Sequence, residues 1–337
     1  MQRALKPYAS TICADPCDLG APWVTNQLQI IYRKITTHAP WLWRKIYEST
    51  ERQDFSKKRL PLMGKPEAKL RELIIEHKPD AIVSTYPLYP YFIERISKQG
   101  IPKVPVFTIV TDSIAINAAW RKAPTDFWIV TDQHTKESLA THGIAQNQII
   151  DIGFPVDPHF ADLEPIDAEN PIDPLQILYF PTPKKPHVRR VSRELLDATG
   201  PNSKLTIVLG KHLRKIHSRA KEIEDQYPGR VTIKGWTKKV PELLNSHHLV
   251  VGKAGGATVH EAMAAECPML IHHLVPGQEE GNLTLLRLLN GGDLADNEGM
   301  LSQRLNDMLA DNATIWRQMK RDLADNYRHC AAQQAAD

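Results

Sequence analysis

The chain has 337 residues and a mass of 38.1 kDa, with 42% hydrophobic and 24% charged residues, enough for two ordinary domains of roughly 100 to 200 residues, each with a buried core. Its 17 Gly and 25 Pro follow no period, which excludes a collagen-like chain, and the hydrophobic fraction excludes a wholly disordered one. A formal charge of +3 and a pI near 8.5 are too weakly basic for a dedicated nucleic-acid binder.

In chain order, Met1 to Pro7 is basic without an apolar run, so no secretory signal is expected and the compartment reads as cytosolic. Cys13, Cys17, Cys267 and Cys330 form no CxxC pair and read as free thiols. Asn26 to Tyr47 joins Ile30, Ile31, Ile35, Trp41, Trp43 and Ile46 to a basic set of Arg33, Lys34, Arg44 and Lys45, continued by Arg52, Lys57, Lys58 and Arg59. That set predicts a surface that meets something anionic; a core helix with one solvated face is the alternative. Glu67 to His77 has Leu70, Leu73, Ile74 and His77 at helical spacing and stops before Lys78-Pro79. Short apolar strands follow at 80–85, 104–110, 127–130 and 148–152, with a helix at 88–97.

Gly153 to Pro158 and the acidic, Pro-spaced stretch 162–174 read as a linker. The alternation then restarts, with strands at 176–180, 205–209, 231–234, 249–252 and 269–272 and helices at 188–199, 212–226, 240–246 and 258–265. Helices are also expected at 300–310 and 313–332, the last crossing back onto the first domain. This pattern predicts two Rossmann-like parallel-sheet α/β domains facing a cleft, at residues 1–157 and 158–312, with a terminal helix at 313–337.

Chemistry concentrates in Val251-Gly252-Lys253-Ala254-Gly255-Gly256-Ala257-Thr258-Val259-His260-Glu261. A strand, a paired-glycine loop and a helix start bring backbone N–H groups and the positive helix end to one place, which suits a diphosphate. It is neither G-x-G-x-x-G nor the P-loop, and a turn with no ligand has the same form. Pro276-Gly277-Gln278-Glu279-Glu280-Gly281-Asn282 offers amide and carboxylate groups to a polyhydroxylated sugar, or is a solvated loop. Gly235-Trp236-Thr237 places an aromatic where a flat base can stack, or a Trp that is simply buried.

These runs, in this order, resemble the monogalactosyldiacylglycerol synthases and processive diacylglycerol glucosyltransferases, two-domain GT-B enzymes related to the N-acetylglucosaminyltransferase of the peptidoglycan lipid precursor. The resemblance extends to Lys78-Pro79-Asp80-Ala81-Ile82-Val83-Ser84, to Phe107 to Asp112, to Trp120 and to Gly153-Phe154-Pro155-Val156, and runs from about residue 10 to about residue 315. It implies a UDP-sugar-dependent hexosyltransferase acting with inversion on a lipid hydroxyl, most often diacylglycerol, as a peripheral protein on an anionic cytosolic membrane surface. A polyprenyl-linked or soluble acceptor, or a nucleotide-sugar-binding protein without catalysis, are the alternatives.

The UDP-sugar is a substrate in this picture, and neither a further cofactor nor a metal is expected. Carried over residue by residue, Gly255, Gly256 and Thr258 hold the diphosphate and Glu261 the ribose. Trp236 and Thr237 flank the uracil, with Gly210 close by. Gln278, Glu279 and Asn282 face the sugar, and Asp112 is the acceptor-side base or orienting group, a capping Asp being the alternative. Arg33, Lys34, Trp41, Trp43, Arg44 and Lys45 are the expected membrane-facing set. The chain departs from the family in two places. The opening strand with its Gly-x-Gly-His loop is absent, so the first domain is expected to be incomplete at its amino end. The loop after the first strand of the second domain reads Phe180-Pro181-Thr182-Pro183-Lys184-Lys185-Pro186-His187 in place of a glycine-rich one.

Overall fold

Every strand pairing in the computed structural model is parallel. The structure describes residues 1–53, 55, 61–210, 213–326 and 331–336; Lys57, Lys58, Arg59 and Cys330, invoked above, lie outside them. Cys13, Cys17 and Cys267 are free thiols. No helix among the described residues is long and apolar enough to cross a membrane.

The chain divides into two units, one of residues 1–155, 276–281 and 331–337 and the other of 156–275 and 282–330. The first break coincides with the Gly153 to Pro158 linker. Two features differ from the sequence expectation: the short run 276–281 groups with the first unit, and the helix expected to return there stays in the second unit as far as Asn326.

The first unit opens with helices α1 (Gln2–Leu5), α2 (Pro16–Gly20), α3 (Pro22–His38), α4 (Pro40–Glu51) and α5 (Gly64–His77). It continues as β1 (Ile82–Ser84), α6 (Tyr89–Ser97), β2 (Val106–Ile109), α7 (Ala118–Arg121), β3 (Phe127–Val130), α8 (Gln133–Thr141) and β4 (Ile149–Asp151), with strand order β1-β2-β3-β4. α5 stops where Lys78 adopts the left-handed conformation ahead of Pro79, because the residue before a proline is excluded from the helical region. Leu70 and Ile74 of α5 pack with Phe92, Ile93 and Ile96 of α6 and with Val106 of β2 in one buried cluster. Trp120, Trp128, Val130, Leu139 and Ile149 form a second. α3 and α4 differ from the rest. Thr36 is the one buried residue of α3, and α4 has none.

The second unit runs β5 (Gln176–Tyr179), α9 (Lys185–Asp197), β6 (Lys204–Val208), α10 (Leu213–Gln226), β7 (Val231–Lys234), α11 (Val240–Asn245), β8 (Leu249–Lys253), α12 (Gly256–Ala264), β9 (Met269–His273), α13 (Glu280–Leu288), β10 (Gly292–Leu294) and α14 (Met300–Asn326). α14 is broken by non-helical backbone at Ala310–Ala313, where the sequence pattern also changes helix. Its second half carries Trp316, whose buried indole N–H donates to the His248 carbonyl at 2.7 Å. That anchor fixes it on this unit's core, against Leu195, Ile207 and Val251 of the same cluster. Of the chain's end, the short α15 (Ala331–Gln334) falls with the first unit.

Strand order in the second unit is β10-β9-β8-β5-β6-β7. The chain leaves β5 toward β6 on one side, and β8 returns on the other. The point of reversal lies between β5 and β8, and the carboxyl ends flanking such a point are where open parallel sheets bind ligands.

Candidate functional site

In the second unit, β8 is buried along Leu249 to Gly252 and delivers the chain to the reversal point at Lys253. Ala254 is buried, and Gly255 is the N-cap of α12 without a side-chain hydrogen bond to the helix. The first-turn N–H groups of α12 therefore have no capping side chain, and their partial positive charge is available to an anion. Asn282 is buried and donates its amide nitrogen to the Ala254 carbonyl at 3.0 Å. This bond ties Asn282 to the loop that precedes α12.

Thr258 and Glu261 are half-buried on the same helix. Burial, and to a lesser degree the charge of Asp157, pushes the Glu261 carboxyl up to about 7. A carboxylate held this far above its ordinary range gains from groups that donate hydrogen bonds to it, as sugar hydroxyls do. Trp236, beyond the edge strand β7, is 54% exposed, so the buried-Trp alternative is removed. Thr237 accepts from the Lys239 N–H at 3.0 Å. Gly210 follows β6 with φ +65°.

Sequence reasoning passed over the histidines at the same sheet edge. His187, in the first turn of α9, has its ring 6.1 Å from that of His272 and 5.9 Å from that of His273. Burial, with Lys184 and Arg190 nearby, lowers the His187 pKa, and burial also lowers that of Lys184. Two His after a strand of Met, Leu and Ile were the available signal.

In the first unit, Asp112 follows β2 and accepts from the Trp120 indole N–H at 3.0 Å. Asn117, not Asp112, caps the next helix, accepting from the Ala119 N–H. The carboxyl of Asp112 is pushed up to about 6, chiefly by burial and further by Glu279, against the opposing hydrogen bond from Trp120. Such a group is largely ionised at neutral pH yet basic enough to take a proton.

The run 276–281 is built onto α3, α4 and the loop after Asp112. The Tyr32 hydroxyl donates to Gln278 Oε1 at 3.0 Å, Arg44 pairs with Glu280, and Glu279 is buried. A side chain at Gly277, where φ is +81°, would come within 2.7 Å of the Tyr47 ring. One at Gly281 would overlap the Ser113 carbonyl oxygen. The two glycines are therefore packing requirements, which the sequence reading took only as loop composition.

Of the expected membrane-facing set, Trp41 is 63% exposed with Lys45 over its ring at 5.5 Å, and Lys34 is exposed. Arg33 is half-buried. Trp43 requires correction: it turns edge-on against Tyr32, ring centroids 4.8 Å apart, with its indole nitrogen buried. Arg44 is engaged with Glu280. Trp23, which the sequence reading did not single out, is 73% exposed, and Ile12, Leu19, Leu28 and Ile31 are exposed as well.

Residues 5–156 match the sequence model of the family described as Monogalactosyldiacylglycerol (MGDG) synthase. Over 93% of its length the chain is 23% identical to a processive diacylglycerol beta-glucosyltransferase of Bacillus cereus (strain 03BB102), covering 81% of that protein. Over 90% of its length it is 24% identical to that of Bacillus subtilis (strain 168), covering 80%. Among solved structures it is similar in fold to S. aureus MnaA in a co-structure with UDP, at a TM-score of 0.61, 14% identity and coverage of 84% of this chain and 78% of that one. It is similarly close to Acinetobacter baumannii MurG, at a TM-score of 0.59 and 15% identity, covering 81% and 76%.

Proposed function

Because the chain is related to the monogalactosyldiacylglycerol synthases and processive diacylglycerol glucosyltransferases and shares the two-unit parallel-sheet fold of GT-B proteins, we propose that it transfers a hexose from a UDP-sugar to a lipid hydroxyl, diacylglycerol foremost, with inversion. The observation that carries the reading is the α12 start: an uncapped helix N-terminus at the point of strand reversal, followed on the same helix by a carboxylate lifted to about 7.

In this reading the N–H groups of Gly256 and Thr258 receive the diphosphate and Glu261 accepts from the ribose hydroxyls. The exposed Trp236, with Thr237, meets the uracil. Gln278 and Glu279 meet the sugar. Asp112 takes the proton from the acceptor hydroxyl as its oxygen bonds to the anomeric carbon. The bond from that carbon to the diphosphate breaks, and UDP leaves with its charge stabilised by the α12 terminus.

The acceptor is met at an anionic membrane surface on the cytosolic face. α3 has one fully buried residue and α4 none, and they expose Trp23, Ile31 and Trp41 beside Lys34 and Lys45, the combination of apolar insertion and basic rim that binds anionic leaflets. Calorimetric titration with UDP, with ADP as the control nucleotide and a Glu261→Ala variant alongside, tests the donor half. UDP-selective binding lost in the variant is the expected result; absence of binding to a folded chain refutes the reading.

A further inference from the structure

The Gln278 side chain has two chemically different ends, and which one a hexose hydroxyl meets decides whether it receives or donates a hydrogen bond. We infer that Tyr32 is a positioning residue for the donor sugar, its hydroxyl holding Gln278 Oε1 at 3.0 Å so that the amide nitrogen is the end presented to the hexose. This inference rests on the donor reading proposed above.

Tyr32 is itself fixed in place. Its ring meets Trp43 edge-on at an interplanar angle of 79°, a favoured aromatic geometry. Burial, with Glu279 and Asp112 adding to it, pushes the phenol up to about 12, so the oxygen keeps its proton and donates it. Three further features seat the loop: the Gly277 backbone against the Tyr47 ring of α4, the Arg44–Glu280 ion pair with the same helix, and the Gly281 backbone against Ser113 in the loop after β2. With the backbone pinned at both ends, the remaining freedom of Gln278 is rotation of its side chain, and the Tyr32 hydroxyl removes it. α3 thus carries a residue that acts on sugar recognition through Gln278, although 246 positions separate the two in sequence.

The test is calorimetric titration of the full chain with UDP, UDP-glucose and UDP-galactose, for the native protein, Tyr32→Phe, Gln278→Ala and the double variant. The quantity read is the affinity for each UDP-hexose relative to UDP in the same protein. Loss of a single hydrogen bond of this kind predicts a fall of about threefold to tenfold for the preferred hexose in Tyr32→Phe, a fall at least as large in Gln278→Ala, and no further fall in the double variant. An unchanged ratio in Tyr32→Phe beside a reduced one in Gln278→Ala overturns the role of Tyr32, as do losses that add in the double variant. An unchanged ratio in Gln278→Ala overturns it even where Tyr32→Phe is too unstable to titrate. Failure of the donor reading looks different: the native chain then binds no UDP at all.

Discussion

Replacing Glu261 with Gln should stabilise the second unit and at the same time remove its nucleotide. Burial and the charge of Asp157 lift this carboxyl from an ordinary 4.5 to about 7. Between those values the folded chain holds a proton that the unfolded chain has released, so stability falls as the pH rises from about 4.5 through 7. With about 1.4 kcal/mol for each tenfold change in proton affinity, the ionised carboxylate costs the fold roughly 3 kcal/mol above pH 8 and under about 1 kcal/mol at pH 5. Buried His248 and His272, held down to about 4 and about 3 by burial, act in the opposite direction, removing stability as the pH falls below 6.5. They are the same in both proteins and cancel in the difference. Urea unfolding at pH 8.5 and pH 5 reports that difference through the fluorescence of Trp316, which sits in the second unit's core. Glu261→Gln is expected to be about 3 kcal/mol more stable than the native chain at the higher pH and nearly equal at the lower, with UDP affinity reduced tenfold or more because an amide nitrogen cannot accept from ribose. A variant no more stable than the native chain at pH 8.5, or a difference independent of pH, refutes the reasoning.

Asp112→Asn should lower turnover by about 10²–10⁴-fold while leaving UDP affinity unchanged, and native turnover should fall as the pH drops through about 6, where Asp112 gains its proton; steady-state rates from pH 5 to 8 check both. Gly281→Ala should destabilise the first unit by about 1–3 kcal/mol or more through overlap with the Ser113 carbonyl, and a melting point equal to the native one contradicts that. Trp23→Ala, at a side chain 73% exposed, should weaken co-sedimentation with anionic vesicles severalfold without moving the melting point; unchanged sedimentation removes α3 from the membrane surface.

The sheets were legible because buried parallel strands read as apolar runs: Phe127–Val130 and Val231–Lys234 begin and end where the sequence places them. α8 (Gln-His-Thr-Lys-Glu-Ser-Leu-Ala-Thr) and β10 (Gly-Asp-Leu) escaped notice, since neither carries the apolar periodicity on which such reading depends. The glycine loop before α12 was legible as a local strand, loop and helix start. The surroundings of Asp112 and Gln278 were not. Tyr32, Tyr47 and Trp120 reach them through folding, and no local pattern marks that the tyrosines of α3 and α4 turn inward. The same limit explains Trp43 and Trp41, which stand two apart on one helix. They therefore face different ways, Trp43 onto Tyr32 and Trp41 into solvent.

The central claim is hexosyl transfer from a UDP-sugar to a lipid hydroxyl, and the most direct measurement is product formation by the purified chain given radiolabelled UDP-glucose or UDP-galactose and anionic vesicles containing diacylglycerol. The account predicts a labelled glycolipid that forms with one of the two donors, requires diacylglycerol and is lost in Asp112→Asn. No labelled lipid from a chain that binds UDP, or label appearing equally without diacylglycerol, contradicts it.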